Sequence, residues 1–123
     1  MQALVVDDSR AMRLIIRRIL EAEGYDVLEA SDGKEALELL ASAPKPDLAL
    51  IDWNMPVLDG LELVSAMRKD PDSRQVALMM VTTENESDQI VRALAAGAHE
   101  YLIKPFTPEA LLDKLAVLGM RSA

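Results

Sequence analysis

Five side chains in this sequence share a position that favours chemistry, each following a short apolar run. Asp7 and Asp8 follow Ala3 to Val6, Asp52 follows Leu48 to Ile51, Thr82 follows Val76 to Val81 and Lys104 follows Tyr101 to Ile103. Three carboxylates in one small volume repel one another and require a proton or a cation. Hard oxygens with few fixed protein ligands suit Mg²⁺. A carboxylate can attack phosphorus and carry the group as an aspartyl phosphate, which makes Asp52 the candidate nucleophile. Lys104 has the charge to neutralise equatorial phosphoryl oxygens, and the Thr82 hydroxyl can donate a hydrogen bond to them. Each residue also has a plainer use. An Asp after a strand is commonly a turn or cap residue, Asp7 and Asp8 suit a helix start, Lys104 suits solvent and Thr82 suits a strand. What favours function is their convergence, because the ends of four different runs are predicted to open onto one crevice.

The elements that must position these groups are legible as pattern. The four runs, and a weaker fifth from Asp26 to Ala30 after the turn signal Gly24, lack the alternation of a half-exposed strand. They suit strands covered on both faces, as in a parallel sheet. Between them lie helical patterns. In the first, Met12, Ile15, Ile16 and Ile19 form an apolar stripe with Arg13 and Arg17 turned away. Others run over 33–42 (Ala36, Leu37, Leu39, Leu40), 60–69, 87–96 and 108–118, with Pro108 and Gly97 placed as helix-end signals. Alternating strands and helices predict an α/β fold, an open doubly wound five-stranded parallel sheet with five helices on both faces. Ligands bind such sheets at the carboxyl ends of the strands. Pro44-Lys45-Pro46 and Asp70-Pro71-Asp72 read as turns within the domain.

Composition narrows the class. A chain of 123 residues, half of them hydrophobic, is sized for one domain with its own core. Its net charge of -8 opposes nucleic-acid backbones and anionic membranes, so neither is an expected partner. The chain has no cysteine, which excludes disulfides and thiolate chemistry and fits a reducing compartment. The opening apolar stretch is too short for a signal peptide, and nothing approaches membrane-spanning length. The cytoplasm is the expected location.

Four motifs extend these positions into a pattern: V-V-D-D-S at Val5 to Ser9, D-W-N-M-P-V-L-D-G at Asp52 to Gly60, M-V-T at Met80 to Thr82 and Y-L-I-K-P-F at Tyr101 to Phe106. In this order the chain resembles the receiver domains of two-component response regulators, among them the chemotaxis type, over essentially its whole length. The resemblance implies a flavodoxin-like sheet of order 2-1-3-4-5 and a single receiver domain spanning 1–123 with no separate output domain. It implies that Asp52 is the phosphoacceptor and that the protein catalyses its own phosphorylation and dephosphorylation. Mg²⁺ would be held by Asp8, Asp52 and the Asn54 backbone carbonyl, with Asp7 acting through water. Lys104 would contact the phosphoryl group ahead of a cis bond to Pro105, and Thr82 with Tyr101 would form the switch pair. Asn54 and Glu84 would tune attack by water on the phosphoryl group.

The same resemblance implies a phosphodonor, either a histidine kinase or a histidine phosphotransfer protein, docked near the first helix, where Leu14 lies off the apolar stripe. Output would pass through the fourth helix, fifth strand and fifth helix, carrying Gln89, Arg92, His99, Tyr101 and Lys114. Motor-binding receivers have lysines where the fourth helix begins, whereas this chain has Glu86, Ser87 and Asp88, so the downstream target stays open. A monomer, or a weak dimer linked to phosphorylation, is expected. Phe106 reads as packing, lone His99 as a surface residue and Trp53 as a residue at the crevice mouth. The alternatives are a phosphorelay intermediate and a receiver-like interaction module that is never phosphorylated. A dehalogenase-type phosphatase would want an acid where Asn54 stands, and a flavin carrier would not place Asp7 and Asp8 in its phosphate cradle.

Overall fold

The computed structural model describes residues 1–83 and 87–121. Five strands, β1 (Gln2–Val6), β2 (Asp26–Ala30), β3 (Leu48–Asp52), β4 (Ala77–Thr82) and β5 (Glu100–Ile103), alternate with five helices. The helices are α1 (Arg10–Ala22), α2 (Gly33–Ser42), α3 (Gly60–Lys69), α4 (Ser87–Ala96) and α5 (Pro108–Val117). All strand pairs are parallel, in the order β2-β1-β3-β4-β5. This is the expected doubly wound α/β fold.

The apolar runs become strands because both faces of the sheet are covered. Leu4 and Val6, Ala49 and Ile51, and Leu78 and Met80 enter one core with residues of α2, α3 and α4. Their neighbours Ala3 and Val5, Leu48 and Leu50, and Met79 and Val81 enter the other, beneath α1 and α5. Alternate residues of a strand point to opposite faces, so continuous hydrophobicity is what a sheet buried on both sides demands.

Helix starts are fixed by side chains that accept otherwise unpaired backbone amides. Ser9 accepts from the Met12 amide, Asp32 from Glu35 and Thr107 from Ala110, while Asp59 and Glu62 form a reciprocal capping box. Ser9, rather than Asp7 or Asp8, therefore caps α1, and both acids are left for other work. The stretch 71–73 forms a short 3-10 turn.

Three details differ from the sequence pattern. Ile15, expected in the inward stripe, is 50% exposed, and Leu37 is 36% exposed. Ile16 and Leu20 are instead the buried line of α1, with Met12 and Ile19 on its flanks. Arg13, expected to turn outward, has a side chain only 15% exposed. The heptad-like spacing fits several rotations of one helix, and polar partners for Arg13 select among them.

Candidate functional site

The carboxyl ends of β1, β3, β4 and β5 bring Asp7, Asp8, Asp52, Thr82 and Lys104 to the same end of the sheet. Carboxylate oxygens of Asp7, Asp8 and Asp52 all lie within 4.8 Å of one another. Asp7 and Asp52 are buried, at 2% and 6% exposure, whereas Asp8 is exposed. Lys104 donates to Asp7 Oδ2 at 2.9 Å and its Nζ lies 3.3 Å from Asp52 Oδ1. Thr82 is buried. The bond from Lys104 to Pro105 is cis.

Three acids against one ammonium leave an excess of negative charge in a largely dry place. Desolvation, then the neighbouring Asp7 charge, pushes the Asp52 pKa up to about 6, although Lys104 pulls the other way. Burial works to lower the pKa of Lys104, but its hydrogen bonds and charge interactions with Asp7 and Asp52 outweigh it, and the net shift is upward. Among the described residues this is the cluster able to hold a metal ion. Its donors are hard oxygens, and their spread is close to the roughly 4 Å that separates opposite ligands of one ion bound at about 2.1 Å. The donor set thus fits Mg²⁺.

The charge excess gives a stability prediction. Because the folded pKa of Asp52 is raised from 3.8 to about 6, the folded state holds this proton more tightly than the unfolded chain. Stability from this group is present at low pH and is lost as pH rises through about 6. With Mg²⁺ chelated, Asp52→Asn is expected to raise stability by about 2 kcal/mol at pH 7.5 and by little at pH 4. Urea denaturation at both pH values tests this, and equal midpoints for variant and parent at pH 7.5 would refute it.

The remaining expected residues fall into place unevenly. Asn54 is exposed in the loop after β3, and Glu84 lies outside the described residues. That loop also carries Val57 at a φ of 70°, 80% exposed, a conformation that β-branched residues avoid. Tyr101 is half-buried on β5 beneath the Lys114 ammonium, 4.6 Å from its ring centre, and Lys114 also pairs with Glu100 at 3.0 Å. Phe106 packs against the α1/α5 core. Trp53 is not at the crevice mouth. It is 7% exposed within the α2/α3/α4 core, with the Arg92 guanidinium 5.8 Å from its ring, because strand alternation turns it away from Asp52. His99 is turned to the opposite end of the sheet, where its Nδ1 accepts the Leu78 amide at 3.0 Å beside Arg68.

Two residues near the acids escaped the sequence reading. Gly60, at the start of α3, lies so close to β3 that a Cβ on it would sit 2.2 Å from the Asp52 carbonyl oxygen. Arg13 donates to the Asp7 carbonyl at 2.6 Å. Asp-Gly before a helical pattern was a usable signal for the first, whereas nothing in the sequence separates Arg13 from Arg17.

Fold and site together define a doubly wound α/β domain with a lysine-bridged carboxylate cluster at its switch-point crevice. The model of the response regulator receiver domain matches residues 3–116, and the chain belongs to that family. It is 44% identical over 119 residues to chemotaxis protein CheY1 of Helicobacter pylori, covering 96% of each. It is 45% identical over 124 residues to a chemotaxis protein CheY homolog of Campylobacter jejuni, covering 99% of this chain and 95% of that one. Among solved structures, chemotaxis response regulator CheY4 of Vibrio cholerae superposes with a TM-score of 0.89 at 38% identity, over 95% of this chain and 97% of that one.

Proposed function

We propose that this receiver is a phosphorylation switch whose Asp52 takes a phosphoryl group from a phosphohistidine on a histidine kinase or phosphotransfer protein. An Asp52 carboxylate oxygen attacks phosphorus, the phosphorus–nitrogen bond breaks, and the imidazole leaves with a proton. The observation that carries this reading is Lys104, held between Asp7 and Asp52 by contacts of 2.9 and 3.3 Å where an arriving phosphoryl oxygen needs a cation. Asp8, Asp52 and the Asn54 carbonyl would hold Mg²⁺, with Asp7 acting through water. Bound there, the ion supplies charge neutralisation for the carboxylates and the phosphoryl oxygens. Thr82 donates its hydroxyl to the modified Asp52, and Tyr101 follows it inward as the second half of the switch. Asn54 and Glu84 set the rate at which water removes the phosphoryl group.

The signal then leaves through α4, β5 and α5 to a target protein. The relatives' names favour a chemotaxis pathway, while acidic Asp88 in the first turn of α4 distinguishes this chain from lysine-bearing motor binders. The working unit on this reading is one receiver domain, a monomer or weak phosphorylation-linked dimer in the cytoplasm. Among the described residues no helix is long and apolar enough to cross a membrane.

Incubation with acetyl phosphate and Mg²⁺, followed by intact mass measurement, tests the reading directly. One added phosphoryl group, absent from Asp52→Asn, supports it, and no addition to the parent protein removes it. Donor docking has its own test. Leu14 is 45% exposed on α1 beside exposed Ile15, an apolar surface on the helix that follows Asp7 and Asp8 in the chain. Leu14→Asp is expected to slow transfer from a kinase about tenfold, the effect of roughly 1.4 kcal/mol of lost contact, while leaving transfer from acetyl phosphate unchanged. Equal rates from both donors would discard Leu14 as a contact.

A further inference from the structure

Arg13 lies in the first turn of α1, and its guanidinium reaches in two directions. Nε donates to Glu29 Oε1 at 3.1 Å and Nη1 donates to the backbone carbonyl of Asp7 at 2.6 Å. Glu29 stands on β2 opposite Val5 of β1, and its other carboxylate oxygen accepts from Arg17 at 2.6 Å. The guanidinium is therefore braced from outside the acidic cluster.

Asp7 itself is held at four points. Its amide donates to the Ala30 carbonyl at 3.1 Å, its Oδ1 accepts the Ser9 amide at 2.9 Å and its Oδ2 accepts Lys104 at 2.9 Å. The fourth is the Arg13 bond to its carbonyl. That carbonyl belongs to the peptide unit whose nitrogen is the Asp8 amide, and the unit is planar. Arg13 thus fixes the direction in which the chain leaves Asp7, and with it where the exposed Asp8 carboxylate begins. A charged donor makes this one of the stronger bonds on the turn.

We infer that Arg13 is a positioning residue for the acidic site: it orients the Asp7–Asp8 peptide, with Glu29 setting its reach, so that Asp8 can share a dication with Asp52. The metal in this inference rests on the phosphoryl-accepting reading above, whereas the geometry of the turn does not. Partners one layer out from metal ligands commonly contribute tenfold or more in affinity.

Arg13→Met keeps the aliphatic stem and removes every donor. In calorimetric titration with Mg²⁺ it should weaken binding about tenfold, Arg13→Lys should recover part of the loss, and Glu29→Gln should lose about threefold. Arg17→Gln, which removes the partner of the other Glu29 oxygen but leaves both Arg13 bonds in place, should stay within about twofold. Amide exchange in Mg²⁺-free protein supplies a second readout, because the Ser9 amide is held by Asp7 Oδ1. Its protection in Arg13→Met should fall further than that of Leu4 and Val5, as a local change does and a global loss of stability does not. Unchanged Mg²⁺ affinity in Arg13→Met, or Ser9 protection that falls only in step with β1, overturns the inference. If Arg13→Met fails to fold, Arg13→Lys and Glu29→Gln decide by the same two measurements. If the parent protein binds no Mg²⁺, the metal reading fails by itself, and Ser9 exchange alone judges Arg13.

Discussion

Gly60→Ala is expected to lower stability by about 3 kcal/mol and to slow phosphoryl uptake from acetyl phosphate at least tenfold. The new Cβ would meet the Asp52 carbonyl oxygen at 2.2 Å and the Trp53 Cα at 2.8 Å, far inside contact distance. Both are main-chain atoms, so no side chain can rotate away to make room. Relief requires β3 and the start of α3 to separate, which disturbs the Gly60 amide bond to the Trp53 carbonyl at 2.9 Å and the capping box of Asp59 and Glu62. The same displacement moves the backbone that carries the Asp52 carboxylate, and reaction geometry tolerates little misplacement. Thermal denaturation and single-turnover phosphorylation would measure the two effects. An unchanged melting temperature together with an unchanged rate would show that the approach is looser than the structure describes.

Arg68→Ala is expected to cost about 3 to 4 kcal/mol while leaving phosphorylation of the folded fraction unchanged. The guanidinium gathers the far end of the fold. It donates to the carbonyls of Gly97, Ser73, Arg74 and Val76 at 2.9 to 3.2 Å, and its remaining direction faces the His99 ring at 3.2 Å. It thereby joins α3 to the start of β4 and to the turn before β5. Gly97, at a φ of 123°, leaves room for the arginine stem, since a Cβ there would lie 2.3 Å from Arg68 Cγ. Alanine would leave several carbonyls short of a donor, and lysine, with a single point charge and no planar fork, should recover less than half of the loss.

His99 provides a spectroscopic check. Burial, then the Arg68 charge, lowers its pKa, so its share of stability is present above the usual histidine range and is lost as pH falls below about 6.5. It is the chain's only histidine, so its ring resonances titrate without overlap. In Arg68→Ala its pKa should rise toward the ordinary value. Stability equal to the parent's would refute the bracing role of Arg68.

The fold was legible in the sequence because a sheet covered on both faces writes its strands as unbroken apolar runs. Strand ends then located Asp7, Asp8, Asp52, Thr82 and Lys104 without any knowledge of side-chain direction. What was hidden depends on direction or on close approach. Trp53 follows Asp52 in the chain yet enters the α2/α3/α4 core, because neighbouring strand residues face opposite ways. Arg13 and Ile15 were assigned the wrong sides of α1, since periodicity fixes the width of a stripe better than its rotation. Gly60 and Arg68 matter through contacts with backbone distant in sequence, such as the Asp52 and Gly97 carbonyls, and no local pattern announces them.

The strand order carries one mechanical consequence. Asp52 is mounted on β3, the middle strand, which is laced to β1 on one side and β4 on the other and is buried along its full length. Tyr101 rides on β5, four residues long and tied to the sheet along one margin only. A load applied at Asp52 therefore meets a stiff anchorage at its origin and less constrained strands at the two rims, β2 and β5. On the proposed reading the β5 rim is the one that carries Tyr101, so a change of charge at the fulcrum would be felt two strands away from it.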